Sequence, residues 1–266
     1  MLIITPHLST GGAPQFTLNK VELLKNEYDI LCVEYDFVSP EFVIQRNKIK
    51  NILGENFISL GDNKFKLVDI IREFNPDYLS MEEIPEFFMR DDLVEILYNK
   101  DRKYTIFETT HDSSFPTYEK RWLPDKFIFV SAFNAFRYSS FDVPYEIIEY
   151  PVNFKSKNPH LKEKLGLEAG WRHVVNVGLI TPRKNQKYVF ELAEKLKSYK
   201  IKFHFLGNQA DNFADYWKPL MQNKPHNCII WGEKENVNEF LEACDLFLFT
   251  SRGDRNNKEL NPIAIK

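Results

Sequence analysis

Arg183 and Lys184 sit in a polar turn, TPRKN at 181–185, between a β-branched run at 174–180 and a segment whose Val189, Leu192, Ala193 and Leu196 recur at helical spacing. A strand that delivers the chain into a helix leaves unpaired backbone N–H groups and the positive end of the helix dipole facing outward, an arrangement that suits a phosphate. Two cations at that mouth strengthen the attraction, although an ordinary strand–turn–helix with solvated charges has the same pattern. A second loop of this kind, TPHLSTGGAPQ at 5–15, carries Gly11 and Gly12 and closes on Gln15. Paired glycines remove side chains where a backbone would approach a ligand, and a tight turn would use them equally well. The loop lacks the spacing of a dinucleotide fingerprint, which disfavours a nicotinamide cofactor. His111 and Asp112 directly follow a strand-like run at 104–109, and ligands of open parallel sheets lie past the carboxyl ends of strands. An imidazole beside a carboxylate can hydrogen-bond a sugar hydroxyl there, or serve the structure alone. In the polar loop after LFLFTS, Glu259 can accept hydrogen bonds from ribose or sugar hydroxyls, and Asn261 can both donate and accept. A solvated loop would have the same composition.

The elements that must position these residues alternate. Strand-like runs fall at 2–5, 30–35, 57–60, 78–81, 104–109, 126–130 and 147–150, with helical patterns at 15–25, 66–74, 86–99 and 132–139. The second half repeats the theme with strands at 174–180, 202–206, 228–231 and 246–250, and helices after Asn185, at 214–221 and at 237–243. Such alternation predicts parallel sheets covered by helices, in two doubly wound α/β domains. A proline-flanked stretch of little periodicity, 151–159, marks the join, giving domains at 1–152 and 153–266.

At 266 residues, with 43% hydrophobic and 27% charged residues and no biased tract, the chain can bury a core in each half. Its formal net charge of −3 is no footprint for nucleic acid. Cys32, Cys228 and Cys244 are far apart and odd in number, which predicts reduced core thiols in a cytoplasmic protein rather than a disulfide framework or zinc site. The start MLIITPHL is too short to be a signal peptide, and no apolar run reaches membrane-spanning length.

Taken together and in order, these residues resemble the retaining glycosyltransferases of the GT-B fold, particularly the large family 4, over nearly the whole chain. The parts are the Gly-Gly loop at 10–14, ThrHisAsp at 110–112, LysLeuGlyLeu at 164–167 before ValGly at 177–178, and ProArgLysAsn at 182–185. To these are added PheLeuGly at 205–207, AlaCysAspLeuPheLeuPheThrSer at 243–251, and Glu259 opening a Glu, seven residues, Glu motif. The resemblance implies two Rossmann-like domains, the first on the acceptor side and the second holding a nucleotide sugar. It implies that Lys184, helped by Arg183, neutralises the donor diphosphate, where negative charge grows as the glycosidic bond breaks. Gly11 and Gly12 would bring backbone N–H groups to the diphosphate, His111 would contact the transferred sugar and Glu259 its hydroxyls. Asn261, Pro262 and Ile263 would approach the donor through backbone groups, and Gly207, Gly232 and Glu233 would hold the nucleotide. Asp112 and Gln15 fall on the acceptor side. Transfer with retention and without a metal or other cofactor is implied, and no Asp-x-Asp pair contradicts it. The acceptor is expected to be a glycan, a lipid or another hydroxyl compound, with Phe115, Tyr118 and Trp122 as an apolar wall suited to a lipid-linked glycan, and core packing as the other use of those rings. A peripheral association with the inner membrane face stays open, with no basic amphipathic helix to support it.

Three departures stand out. Leu179 occupies the place of a phosphate-binding Arg, for which Arg183 is the nearest substitute, and TyrProValAsn at 150–153 replaces the usual linker AsnGlyValAsp. The second Glu of the motif would fall one position past Lys266, so the second domain is expected to be incomplete and the chain a fragment of a full transferase. A nucleotide-sugar-binding relative without turnover, a GT-B epimerase or phosphorylase, and a purely structural domain are the competing readings.

Overall fold

The structure, a computed structural model, describes residues 1–37, 40, 43–151, 158, 160–209 and 211–252. The chain divides into two compact units after Pro151. The first contains β1 (Leu2–Thr5), α1 (Gly12–Leu24), β2 (Leu31–Glu34), α2 (Ile44–Leu53), β3 (Phe57–Ser59), α3 (Lys66–Phe74), β4 (Tyr78–Glu82), α4 (Asp91–Leu97), β5 (Thr105–Thr110), β6 (Lys126–Phe129), α5 (Ala132–Arg137) and β7 (Tyr145–Ile147). Its strands form one parallel sheet in the order β3-β2-β1-β4-β5-β6-β7. Strand alternation splits each apolar run between two faces: Leu2, Ile4, Leu31, Val33, Leu79 and Met81 pack on one, Ile3 and Cys32 on the other with Leu18, Val21 and Ile49. The chain order reverses between β1 and β4, so a crevice opens past their carboxyl ends.

The second unit contains α6 (Leu161–Lys164), β8 (Arg172–Val177), α7 (Gln186–Lys195), β9 (Ile201–Leu206), α8 (Ala214–Gln222), β10 (Cys228–Gly232), α9 (Val237–Ala243) and β11 (Leu246–Phe247). Its described strands make a parallel sheet in the order β10-β9-β8-β11, with the reversal at β8. Both units are thus Rossmann-like α/β layers, as the alternation predicts. Most of the join expected at 151–159 lies outside the described residues. No helix among the described residues is long and apolar enough to cross a membrane. Cys32 and Cys228 are buried and Cys244 is half-buried, all as free thiols.

Four local expectations are corrected. The helix expected at 86–99 is a 3-10 turn, Pro85–Phe87, followed by the shorter α4. The break lets Met89 drop into the core at 6% exposure and Phe88 pack edge-on against Tyr35, a burial that one straight helix would forgo. The last strand of the first unit lies at Tyr145–Ile147 rather than 147–150, because pairing with β6 sets Phe127 opposite Tyr145. α1 begins at Gly12 rather than Gln15, with Pro14 tolerated in its first turn. The helix α2 was not expected, since IQRNKIKNIL buries only Gln45 and Ile49.

In the second unit a buried polar chain crosses the sheet. Trp231, passed over where the register shifts between Ile230 and Gly232, directs its indole Nε1 to His204 Nδ1 at 3.0 Å. His204 Nε2 then lies 2.9 Å from His173 Nδ1, and His173 Nε2 lies 3.0 Å from the Glu168 carbonyl. An indole can only donate and a carbonyl can only accept, so every proton in the chain is assigned and both imidazoles are neutral. Burial lowers His204 to about 4, with His173 and Lys202 adding to the effect. The unfolded imidazole, near 6.5, therefore binds protons that the folded one refuses, and stability falls as pH drops through that interval. The second unit should lose about 3 kcal/mol between pH 7 and pH 4 from this residue, and His204→Phe should flatten that part of the profile in urea titrations followed by tryptophan fluorescence.

Candidate functional site

In the second unit, three adjacent strands run into glycines at the same edge. Gly178, Gly207 and Gly232 follow or close β8, β9 and β10 with φ of 140°, 142° and 68°, a range that side chains rarely adopt. They are tied together: Gly207 N donates to the Gly232 carbonyl at 2.8 Å, and Gly178 N to Leu206 O at 2.8 Å. At Gly207 the fit excludes any side chain, since a Cβ would stand 2.1 Å from the Gly178 carbonyl oxygen. At Gly178 a Cβ would meet the stem of Lys184 at 3.2 Å, so the glycine gives this lysine its path across the rim.

The loop that carries Lys184 is braced from below. Gln186, fully buried, accepts from Thr181 N at 3.2 Å and donates to Leu179 O at 3.1 Å. Thr250 Oγ1 donates to Lys184 O at 2.9 Å, and Arg252 N to Arg183 O at 2.7 Å, so the segment after β11 holds the same loop. Asn185 takes the left-handed conformation at φ 56° and leads into α7, whose first turn has no side-chain cap. Arg183, Lys184 and Glu233 are half-buried, and Leu179 is 37% exposed. The structure therefore places Lys184, Arg183, Gly207 and Gly232 on one edge of the second sheet. Glu259, Asn261, Pro262 and Ile263 lie outside the described residues.

In the first unit, the site expected at the ends of β1 and β5 is more enclosed than the sequence implies. Gly11 is extended, and α1 starts at Gly12 with no side-chain cap. His111 follows β5, but its ring is only 4% exposed. Nδ1 lies 2.9 Å from the Tyr150 hydroxyl, Nε2 lies 3.5 Å from Glu82 Oε2, and Phe16 packs edge-on at 5.1 Å. The imidazole thus faces inward, where a sugar-contacting side chain was expected. Asp112 folds back on its own loop to accept from Ser114 N, and Gln15 is held between Asn19 and Gln45. Phe115 is buried against Phe87, whereas Tyr118 is 86% exposed, so no continuous aromatic wall forms.

Sequence reading missed Lys20, Glu82, Glu83 and Tyr150. Lys20 Nζ reaches Glu82 Oε1 at 2.5 Å and Ser80 Oγ at 3.0 Å. Burial alone would raise the Glu82 carboxyl, but Lys20 and the neighbouring His111 bring it down to about 2. Burial also lowers His111, with Glu82 opposing. Glu83 has φ 137°, a strained backbone for a side-chain-bearing residue, and accepts from Ile84 N at 3.0 Å and His111 N at 3.2 Å. Burial pushes its carboxyl up to about 8, against those two donors and with Asp112 adding. The available signal was the pair Ser80 and Glu82, two apart and flanking Met81 in a strand whose last four residues are buried.

Residues 157–264 match the family model described as Glycosyl transferases group 1, which agrees with the glycosyltransferase part of the resemblance read from the motifs of the second half. No curated protein matches the chain by sequence comparison. Among solved structures, the Anabaena protein Alr3699/HepE in complex with UDP and glucose is similar with a TM-score of 0.72 at 13% identity, over 94% of this chain and 74% of that one. A glycosyltransferase from Rickettsia africae gives 0.67 at 16% identity over 94% and 72%. Sucrose-phosphate synthase from Thermosynechococcus elongatus gives 0.65 at 11% identity over 94% and 75%. At these identities the likeness establishes the fold, two Rossmann-like domains of the GT-B kind.

Gly207→Ala combines a forbidden contact with a strained φ. It should destabilise the second unit by about 3 kcal/mol or more in denaturant titration, whereas the same substitution at exposed Gly170, where a Cβ meets nothing, should cost about 1 kcal/mol.

Proposed function

We propose that the chain transfers a sugar from a nucleoside diphosphate donor to a hydroxyl acceptor, with retention of configuration. The observation that carries this reading is the rim of Gly178, Gly207 and Gly232 with Lys184 laid across it. Side-chain-free backbone and a braced cation suit a diphosphate, which needs close approach and charge neutralisation as the leaving group forms. Lys184 and Arg183 are assigned to the diphosphate, and Gly207, Gly232 and Glu233 to the nucleoside. Glu259, Asn261, Pro262 and Ile263 are assigned to the donor sugar, and Gly11 and Gly12 to the reacting end. UDP and UDP-glucose are bound in structures of the Anabaena protein, which supports a nucleotide sugar as the ligand here. The reading includes no metal or other cofactor, because the Arg183–Lys184 loop supplies positive charge of its own. A glycan or lipid-linked hydroxyl is the acceptor we assign, and the free thiols favour a cytoplasmic setting.

Thermal shift with UDP, GDP, ADP and CMP at equal concentration tests the proposal. One of the diphosphates should stabilise the chain by about 2.7 kcal/mol at a hundredfold excess over its Kd. Lys184→Ala should abolish most of that shift and leave the unliganded midpoint nearly unchanged. The absence of a shift with all four would refute the reading.

A further inference from the structure

The segment that follows β5, 113–122, leaves the carboxyl edge of the first sheet and is fastened to the unit by one enclosed lysine. Lys120 has a fully buried side chain and reaches Glu86 Oε2 and Glu108 Oε2, each at 2.9 Å. Glu86, in the 3-10 turn Pro85–Phe87, is surrounded by donors: its Oε1 also accepts from Lys120 Nζ at 3.2 Å, from Arg121 N at 2.9 Å and from Trp122 N at 3.3 Å. Glu108, on β5, is supplied on one side only. Its Oε2 accepts from Lys120 and, at 2.8 Å, from the Tyr98 hydroxyl at the end of α4, whereas Oε1 is buried with no hydrogen-bond partner.

Two carboxylates enclosed with one ammonium leave one negative charge unmatched, and a buried charge without a partner is costly. Donors occupy both oxygens of Glu86, so the open position is Oε1 of Glu108, and a proton there removes the surplus charge. The groups facing Glu108 from the other elements do not supply a cation. Glu83, just after β4, is another acid, and Tyr138, after α5, has its own hydroxyl buried without a partner. Arg137 of α5 is turned to the Ser113 and Phe115 carbonyls at 2.6 Å each, and Arg102, after α4, pairs with Asp125 at 2.8 Å. Burial accordingly pushes the Glu108 carboxyl up to about 7 against Lys120, with Glu86 adding. Lys120 and Trp122, which packs on the core beside it, belong to one segment, so lifting that segment lets water reach Glu108.

We propose that Lys120 and Glu108 form a proton-dependent latch on the segment 113–122: with a proton on Glu108 the enclosed cluster is neutral and the segment stays seated, and loss of that proton to solvent favours the lifted segment, in which water solvates the carboxylate. The sign follows from linkage, since the seated form keeps a proton that the lifted form, with an ordinary carboxyl near 4.5, gives up. Seating therefore weakens as pH rises from there toward 7 and levels off above it. The latch lies wholly within the first unit and does not depend on the glycosyltransferase reading. Through it, pH sets how often the stretch carrying Phe115 and Tyr118 uncovers the carboxyl edge of β5.

Hydrogen exchange of the full chain, read by mass spectrometry on peptides spanning 113–125, tests the latch, because the Arg121 and Trp122 amides donate to Glu86 and exchange when the segment lifts. With each rate divided by the intrinsic rate at its pH, exchange in the wild type should rise about tenfold from pH 6 to pH 8 and level off above, while peptides of β1 and β2 keep their protection. Glu108→Gln removes the titrating charge and should show no such rise. Tyr98→Phe removes a donor to the carboxylate, so the proton is held to higher pH and the levelling should move up by about one pH unit. Thermal midpoints at pH 6 check that each variant folds, and should Glu108→Gln fail to do so, the wild type and Tyr98→Phe decide. Equal protection at pH 6 and pH 8 in the wild type, a rise of the same size in Glu108→Gln, or a Tyr98→Phe profile that levels where the wild type does would each overturn the proposal.

Discussion

Every described strand pairs in parallel with its neighbours, and this constraint governs what each unit can do. Parallel pairing needs a crossover after each strand, so all strand-to-helix turns of a sheet gather on one edge. Gly11, Gly12, Glu83 and His111 share that edge in the first unit, as do Gly178, Lys184, Gly207 and Gly232 in the second. Neither group is contiguous in sequence. Burial of the sheet faces also explains why carboxylates enclosed within the strands, such as Glu34, Glu82 and Glu108, each accept from a neighbouring donor.

The buried charges follow one rule, that an ion taken from water is kept only with partners. Lys20 meets Glu82 and Ser80, while Lys120 meets Glu86 and Glu108, each at 2.9 Å, with Tyr98 donating to Glu108 at 2.8 Å. The second cluster holds two carboxylates against one cation. Burial, reinforced by Glu86 and opposed by Lys120, lifts Glu108 to about 7. Glu34 is a third case, accepting from Leu8 N, Arg46 Nε and Ser59 Oγ, and it fastens the start of the Gly11–Gly12 loop to α2 and β3. These clusters contribute less through net stability than through fixing where loops leave the sheet.

The second unit applies the same economy of partners with neutral groups. His173 and His204 span the sheet between a pure donor, Trp231, and a pure acceptor, the Glu168 carbonyl. Trp231 is directly followed by Gly232, whose carbonyl holds Gly207, so the buried chain and the glycine rim share one stretch of backbone. Gly207 in turn presses on Gly178 closely enough that no other residue fits. The rim is therefore a packed feature of the sheet edge.

The sequence by itself determined the alternation of strands and helices, the two α/β units, and the loops carrying Lys184 and the paired glycines, because apolar periodicity and glycine placement are local properties. It also pointed to His111 through its position after a strand. It could not show that the His111 ring turns inward, or that Lys20, Glu82 and Tyr150 surround it, since their positions span 20 to 150 and meet only when β1, β4 and β5 lie side by side. The break near Phe88, the start of β7 and the helix α2 were likewise decided by tertiary packing and strand register. Proton positions at the buried polar groups of both units depend on which group faces which across the sheet, and only the folded arrangement of donors and acceptors sets that.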